Sequence, residues 1–165
     1  MSERIKRYLA DDNWTTVAKL KEVTRHRRTR FHRPKQRAGF KLAICGSRHL
    51  DLKLATKLIR EHYPLALKAF KAKRATAIIS GGATGVDRAA ANLAHKLTGS
   101  LAYLFLADWT VYGNMAGPIR NALITQEADG LLLIWDGKSH GSRDVRYKFG
   151  ACGKPIYEVE VEIAE

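Results

Sequence analysis

The chain has 165 residues and a mass of 18.5 kDa, with 45% hydrophobic and 27% charged residues. These values suit one globular domain with a short extension and exclude a wholly disordered chain or an ordinary membrane protein. Lys and Arg number 29 against 16 Asp and Glu, for a net charge of +13 and an isoelectric point near 10.0, which points either to an anionic partner or to solubility alone.

The charge is unevenly placed. Residues 1–41 carry 13 Lys/Arg against 4 Asp/Glu, a net of +9, which leaves +4 for the remaining 124 residues. Residues 1–39 read as a basic extension, with residues 40–165 as the folded domain. Thr15 or Thr16 is placed to cap a short helix through about Arg25, with Val17, Leu20 and Val23 as a narrow apolar stripe. A run with Arg25, Arg27, Arg28, Arg30, Arg33, Lys35 and Arg37 follows, self-repelling and interrupted by Pro34. It is either a solvated linker or an arm that neutralises the phosphates of DNA or RNA.

From Phe40 onward, short apolar runs alternate with helical patterns. Leu42 to Cys45 predicts a first strand. Asp51 to about Lys73 predicts a helix with Leu54, Ala55, Leu58 and Ile59 on one face, broken or restarted at Pro64. Ala75 to Ser80 is the second strand, and Val86, Ala90, Leu93, Ala94 and Leu97 mark a helix stopped by Gly99. Leu101 to Leu106 is the third strand, and Pro118 opens a helix to about Ala128. Leu131 to Trp135 is the fourth strand, followed by a helix from Ser142 to Cys152. Ile156 to Ile163 alternates apolar residues with Glu158, Glu160 and Glu162, as a half-exposed edge strand does.

Nearly continuous apolar runs, each followed by a helix, predict an α/β fold: a Rossmann-like, doubly wound sheet of five parallel strands. The preferred strand order is 3-2-1-4-5, from the right-handed crossover rule. Such a sheet brings its strand-to-helix loops to one edge, where ligands bind. Those loops contain Gly46, Ser47 and Arg48; Gly81, Gly82, Ala83, Thr84, Gly85 and Asp87; Asp108, Trp109, Tyr112, Gly113 and Gly117; and Asp136, Gly137, Ser139, Gly141 and Ser142. The second loop is glycine-rich before a helix, so its N–H groups are candidates to face a phosphate, although it matches neither the P-loop nor the dinucleotide fingerprint. Asp87 is placed either to cap or to bond a ribose hydroxyl. Arg120, followed by Asn121, falls in the first turn of its expected helix, where a cation calls for a compensating anion or for a carboxylate such as Asp108. Trp109 and Tyr112 either stack a base or pack on the helix layer, and Ser142 is either a ligand donor or an N-cap.

These motifs resemble the YspA/YpsA-related branch of the SLOG superfamily. The resemblance rests on Gly46-Ser47-Arg48, Ser80-Gly81-Gly82-Ala83-Thr84-Gly85-Val86-Asp87, Ala107-Asp108-Trp109 with Gly113, Ala116-Gly117 and Arg120-Asn121, and Asp136-Gly137 with Ser139-His140-Gly141-Ser142. It covers roughly Phe40 to Val161. The superfamily has a Rossmann-like fold and includes nucleotide phosphoribohydrolases, DprA-type single-strand DNA binders and proposed sensors of nucleotide-derived ligands. The resemblance implies a nucleotide or ADP-ribose-like ligand in the pooled loops. The phosphoribohydrolase motif Pro-Gly-Gly-x-Gly-Thr-x-x-Glu is not reproduced, because its glutamate is missing here. Asp87 and Asp108 are the remaining catalytic candidates.

His26, His32, His49, His62, His95 and His140 show no metal-ligand spacing, and Cys45 at the end of a strand reads as core. No metal and no obligatory cofactor is expected. Two cysteines, the lack of an apolar leader and the lack of about 18 consecutive apolar residues predict a reduced, cytoplasmic protein without a membrane partner. Three functions remain open: binding or sensing of a phosphorylated nucleotide-like molecule, hydrolysis of a nucleotide N-glycosidic bond, and DNA or RNA binding through the arm. The arm of one copy is also suited to the acidic edge of another, as a homo-oligomer.

Overall fold

The structure, a computed structural model, describes residues 39–162. The expected helix after Thr15 or Thr16, the basic run and Ile163 lie outside the described residues. In chain order the elements are β1 (Phe40–Gly46), α1 (Leu52–Ala69), β2 (Ala75–Ser80), α2 (Val86–Thr98), β3 (Tyr103–Leu104), α3 (Trp109–Tyr112), a 3-10 turn (Gly113–Met115), α4 (Ala116–Glu127), β4 (Gly130–Trp135), α5 (His140–Ala151) and β5 (Ile156–Glu160). The five strands form one sheet in the order β3-β2-β1-β4-β5, and every pairing is parallel. The fold is the expected α/β Rossmann-like one, and the strand order is the preferred one.

The sheet is covered on both faces because alternate residues of each central strand are apolar on both sides. Leu42 and Ile44 of β1, Ile78 of β2 and Leu132 and Ile134 of β4 pack with Ala55, Ile59, Ala66 and Leu67 of α1 and with Val86, Ala90 and Leu93 of α2. On the opposite face Ala43, Cys45, Ile79, Leu131, Leu133 and Trp135 pack with Ile124 of α4 and Val145 and Phe149 of α5. The chain changes face between β3 and β4, so the order reverses between β1 and β4. The loops after these two strands flank the switch point.

Three local expectations are corrected. Pro64 neither ends nor restarts a helix but lies inside the continuous 18-residue α1. Its missing N–H leaves the Arg60 carbonyl without its helical donor, and both residues are exposed, so the helix tolerates the proline on its solvent side. Leu54 is not on the buried face; it is 40% exposed. The strand expected over Leu101 to Leu106 contracts to Tyr103–Leu104, the length that pairs with Ile79 and Ser80.

Helix boundaries follow local chemistry. Asp51 caps α1 by accepting from the N–H groups of Lys53 and Leu54 at 2.9 and 3.1 Å. Gly99 ends α2 in the left-handed conformation, as expected. The Lys154 ammonium closes α4, donating to the carbonyls of Thr125 and Ala128 at 2.6 Å each and of Gln126 at 3.3 Å. β5 alternates partly buried Tyr157 and Val159 with exposed Glu158 and Glu160, the pattern of a protected edge. Glu158 is held there by Trp135 Nε1 at 2.8 Å and Arg146 Nε at 2.7 Å. Among the described residues no helix is long and apolar enough to cross a membrane.

Candidate functional site

The loops after β1, β2 and β4 meet at the carboxyl edge of the sheet. Ser47, 1% exposed, sits at the switch point. Its N–H donates to the Ile134 carbonyl at 3.1 Å, and its Oγ accepts from the Asp136 N–H at 3.1 Å. Its carbonyl accepts from the Val86 N–H at 3.4 Å, and Thr84 Oγ1 donates to the Arg48 carbonyl at 3.2 Å. Three of the four expected loops are thus fastened to one another through the Gly46-Ser47-Arg48 turn. Gly85, at φ +69°, fits because a Cβ there would lie 2.3 Å from the Ser47 carbonyl oxygen.

The glycine-rich loop is organised from below. Asp87 is 4% exposed and Arg120 9% exposed, with Arg120 Nη1 3.9 Å from Asp87 Oδ2. Arg120 Nη1 also donates to the Gly81 carbonyl at 2.8 Å, and its Nε donates to Asn121 Oδ1 at 3.0 Å. The Asp87 carboxylate accepts from the N–H groups of Gly46, Gly81 and Ala83. Ser80 Oγ donates to the Asp87 carbonyl at 2.8 Å and accepts from the Gly82 N–H at 3.3 Å. Burial pushes the Asp87 carboxyl above its usual range, while Arg120 and the three N–H groups oppose that rise. Burial, followed by the field of Asp87, also raises the Cys45 thiol, which stays protonated and inert in the core.

This geometry revises the phosphate cradle expected in the second loop. The N–H groups of Gly81, Gly82, Ala83 and Val86 are bonded to Asp87, Ser80 and Ser47, so they are spent within the protein. Arg120 is likewise buried against Asp87 rather than turned to solvent, and with α4 beginning at Ala116 it lies in the second turn. The compensating carboxylate next to it is that of Asp87. Asp108 caps α3, with Oδ1 accepting from the Val111 N–H at 3.1 Å.

The exposed chemistry lies above. Trp109 is 50% exposed, and the Arg48 guanidinium stands 5.9 Å from its ring centroid. The indole edge borders Gly117, where a Cβ would come within 3.4 Å of Cη2. The Trp109–Tyr112 segment, expected as loop, forms a single helical turn that presents this ring. Thr84 is exposed beside Arg48, while Tyr112 is partly buried and Gly113 exposed.

The fourth loop adds a third group. Asp136 Oδ1 accepts from the N–H groups of Lys138 and Ser139 at 3.0 and 2.9 Å. These bonds, the Ser139 one above all, hold its carboxyl below the usual range, with Ser47 contributing. Ser139 occupies the N-cap of α5 but its side chain makes no capping bond, and Ser142 is buried rather than capping. Asn121 Nδ2 reaches across from α4 to the Gly141 carbonyl at 3.2 Å and to Asp144 Oδ2 at 2.9 Å, and Asp144 also pairs with Lys148. Gly137 takes φ +72° in the turn between. Sequence reasoning gave no role to Ser80, although it begins the second-loop motif and its side-chain bonds stay within that motif, nor to Asp144, whose bond to Asn121 spans 23 positions.

Neither the family models nor the curated proteins contain a match to this sequence. Among solved structures, the chain is similar to DNA processing protein A (DprA) from Streptococcus pneumoniae, with a TM-score of 0.57 and 19% identity, over 77% of this chain and 52% of that one. It is also similar to DprA from Helicobacter pylori, described for its single-stranded DNA binding mode, with a TM-score of 0.51 and 21% identity, over 77% of this chain and 68% of that one. The chain therefore spans about half the length of the pneumococcal structure. At such identities the likeness is one of fold: a Rossmann-like α/β domain of the kind found in DprA.

Proposed function

We propose that the chain is a binding module for a nucleotide unit, held at the carboxyl edge of the sheet by the loops after β1, β2, β3 and β4. The reading rests on one observation above all: Arg48 and Trp109 form an exposed cation–π pair at that edge. An indole face suits the π-face of a base, and a guanidinium beside it stacks in the same plane or meets the attached phosphate. This agrees with the nucleotide-derived ligand that the YspA/YpsA-related resemblance implies.

Hydrolysis of an N-glycosidic bond has less support. Asp87 is buried and held by backbone N–H groups and Arg120, and Asp108 caps a helix. An acid–base pair needs a carboxylate within reach of a substrate.

A second reading places the nucleotide unit in a single strand of DNA or RNA. It is favoured by the fold likeness to the Helicobacter pylori protein described for single-stranded DNA binding and by the Lys/Arg excess of residues 1–41. One pair of titrations tests both. AMP and a short oligothymidylate are titrated into the full chain, wild type and Trp109→Ala, at 50 and 200 mM salt. Loss of the stack costs about 1–3 kcal/mol per base, so either ligand is expected to weaken several-fold or more in the variant. A steep salt dependence of the oligonucleotide alone, with AMP weak, selects the single strand. Equal affinity of wild type and variant for both ligands overturns the site.

A further inference from the structure

We propose that β3 is the pairing edge of a two-fold dimer, in which the segment around Leu104 adds antiparallel to the same segment of a second copy of this chain and joins the two sheets into one.

The first observation is an edge that carries no protecting charge. Among the described residues β3 ends the sheet on one side, paired with β2 alone. The Phe105 N–H donates to the Ser80 carbonyl at 2.9 Å. Successive residues of a strand turn their backbone groups to opposite sides, so Leu104 directs its N–H and carbonyl away from β2, and the same alternation carried one step on either side turns Ala102 and Leu106 outward. The side chains alternate too. Tyr103 and Phe105 pack on the core at the face of α4 and α5, whereas Leu104 and Leu106 are 45% and 70% exposed. From Leu97 to Ala107 there is no charged residue. The opposite edge is built otherwise, with Glu158 and Glu160 exposed along β5. An uncharged edge lined by leucine is a template for another strand.

The second observation selects the occupant. A row of backbone groups accepts any extended segment, and charge discriminates among segments. The chain carries +13, so two copies repel over most of their surfaces. The segment from Leu97 to Ala107 lets them approach without like charges facing each other. It is also its own complement. With the two-fold axis at Leu104, this residue forms a hydrogen-bonded pair with Leu104 of the partner subunit, and Ala102 pairs with Leu106 of the partner subunit. These are the residues whose backbone groups face outward. Between them Tyr103 stands opposite Phe105 of the partner subunit, an aromatic pair in the closer, non-hydrogen-bonded position. Residues 1–38, rich in Lys and Arg, meet no carboxylate from Leu97 to Ala107 and are matched in charge by Glu158 and Glu160 of β5 instead. Antiparallel pairing sets the carboxyl edges of the two sheets at opposite ends, so the dimer is independent of the ligand taken beside Arg48 and Trp109.

The test is sedimentation velocity of the full chain from about 1 to 200 µM, the range in which small interfaces associate, at about 50 and 500 mM salt. Wild type is expected to shift with concentration from 18.5 kDa to twice that mass. High salt leaves the shift intact or strengthens it, because it screens the repulsion between copies and no ion pair holds the edge. Leu104→Lys, at an exposed position, sets two cations opposite each other on the axis and is expected to raise the dissociation constant about tenfold or more. Leu65→Lys, at an exposed position of α1, leaves it unchanged. Leu104→Cys combined with Cys152→Ser is expected to form a disulfide-linked dimer on mild oxidation, since a hydrogen-bonded antiparallel pair holds its Cα atoms about 5.5 Å apart, within disulfide reach. Leu65→Cys in the same background stays monomeric on a reducing-free gel, and Cys45 is buried and does not compete. Wild type that is monomeric throughout overturns the dimer, as does either a dimer that Leu104→Lys leaves intact or failure of Leu104→Cys to cross-link. A dimer that high salt dissociates and Leu104→Lys spares overturns it too, and assigns association to residues 1–38 against the acidic edge.

Discussion

Asp87 and Arg120 stand 33 positions apart in sequence and 3.9 Å apart in the fold, enclosed beneath Gly81. A Cβ on Gly81 would lie 2.1 Å from Arg120 Nη1 and 2.6 Å from Asp87 Oδ2. Gly81→Ala is therefore expected to lower stability by about 1–3 kcal/mol, as overpacking does, measured from urea midpoints. A midpoint equal to that of wild type would show the pair to be loosely held. The two shifted aspartates act on stability with opposite signs. The raised pKa of Asp87 contributes stability that is complete below its unfolded value and is lost as pH rises through the folded one. The lowered pKa of Asp136 contributes stability present above about pH 4, its unfolded range, and lost as pH falls through the folded value. Asp136→Asn is thus expected to be less stable than wild type at neutral pH and to converge with it in acid; a pH-independent gap between the urea midpoints would contradict this assignment. Each of these residues was legible in sequence as belonging to a loop or the first turn of the helix after it. Their orientation was not, because a charge turns inward only where a partner from another element waits for it.

At the scale of elements, sequence and structure agree best where burial is continuous. The runs at β1, β2 and β4 are bounded by glycine or polar residues and lie in the sheet centre, so every residue that reads as apolar is used. Agreement is weaker at β3, an edge held by two residue pairs, where Leu101, Leu104 and Leu106 are 75%, 45% and 70% exposed. Hydrophobicity alone does not separate a strand from an apolar edge. Pro64 misleads in the other direction, since its penalty falls on an exposed carbonyl. Pro64→Ala is therefore expected to stabilise the protein by up to about 3 kcal/mol, the helix-interior difference between the two residues, seen as a higher Tm; a lower Tm would mean that the ring contributes packing. Lys154 is the opposite case, one residue closing a helix that lies 26 to 29 positions earlier. Lys154→Met is expected to cost about 2 kcal/mol through the lost charged hydrogen bonds to the end of α4. The same urea experiment reads it, with an unchanged midpoint as the contrary result.

For the whole molecule, the charge divides into +9 on residues 1–41 and +4 on the remaining 124. Among the described residues the two arginines of the candidate site separate: Arg120 is buried in an ion pair, and Arg48 is exposed on Trp109. If the extension supplies nucleic-acid affinity, replacing Arg27, Arg28, Arg30 and Arg33 with serine lowers the slope of oligonucleotide affinity against salt, because each neutralised phosphate adds to that slope. AMP affinity stays the same. An unchanged slope assigns the salt dependence to the domain instead. By itself the sequence determined the α/β class, the parallel sheet and the loops that gather at one edge, and it gave a preference for the strand order that the structure then established. These follow from hydrophobic period, glycine placement and the handedness of crossovers, all of which are local or chiral rules. Only the tertiary structure decided which loop groups are spent and which remain open. The glycine-rich N–H groups close on Asp87 and Ser80, whereas the face of Trp109 does not close. Hydrogen-bond satisfaction depends on partners brought together across the fold, and no stretch of sequence contains them.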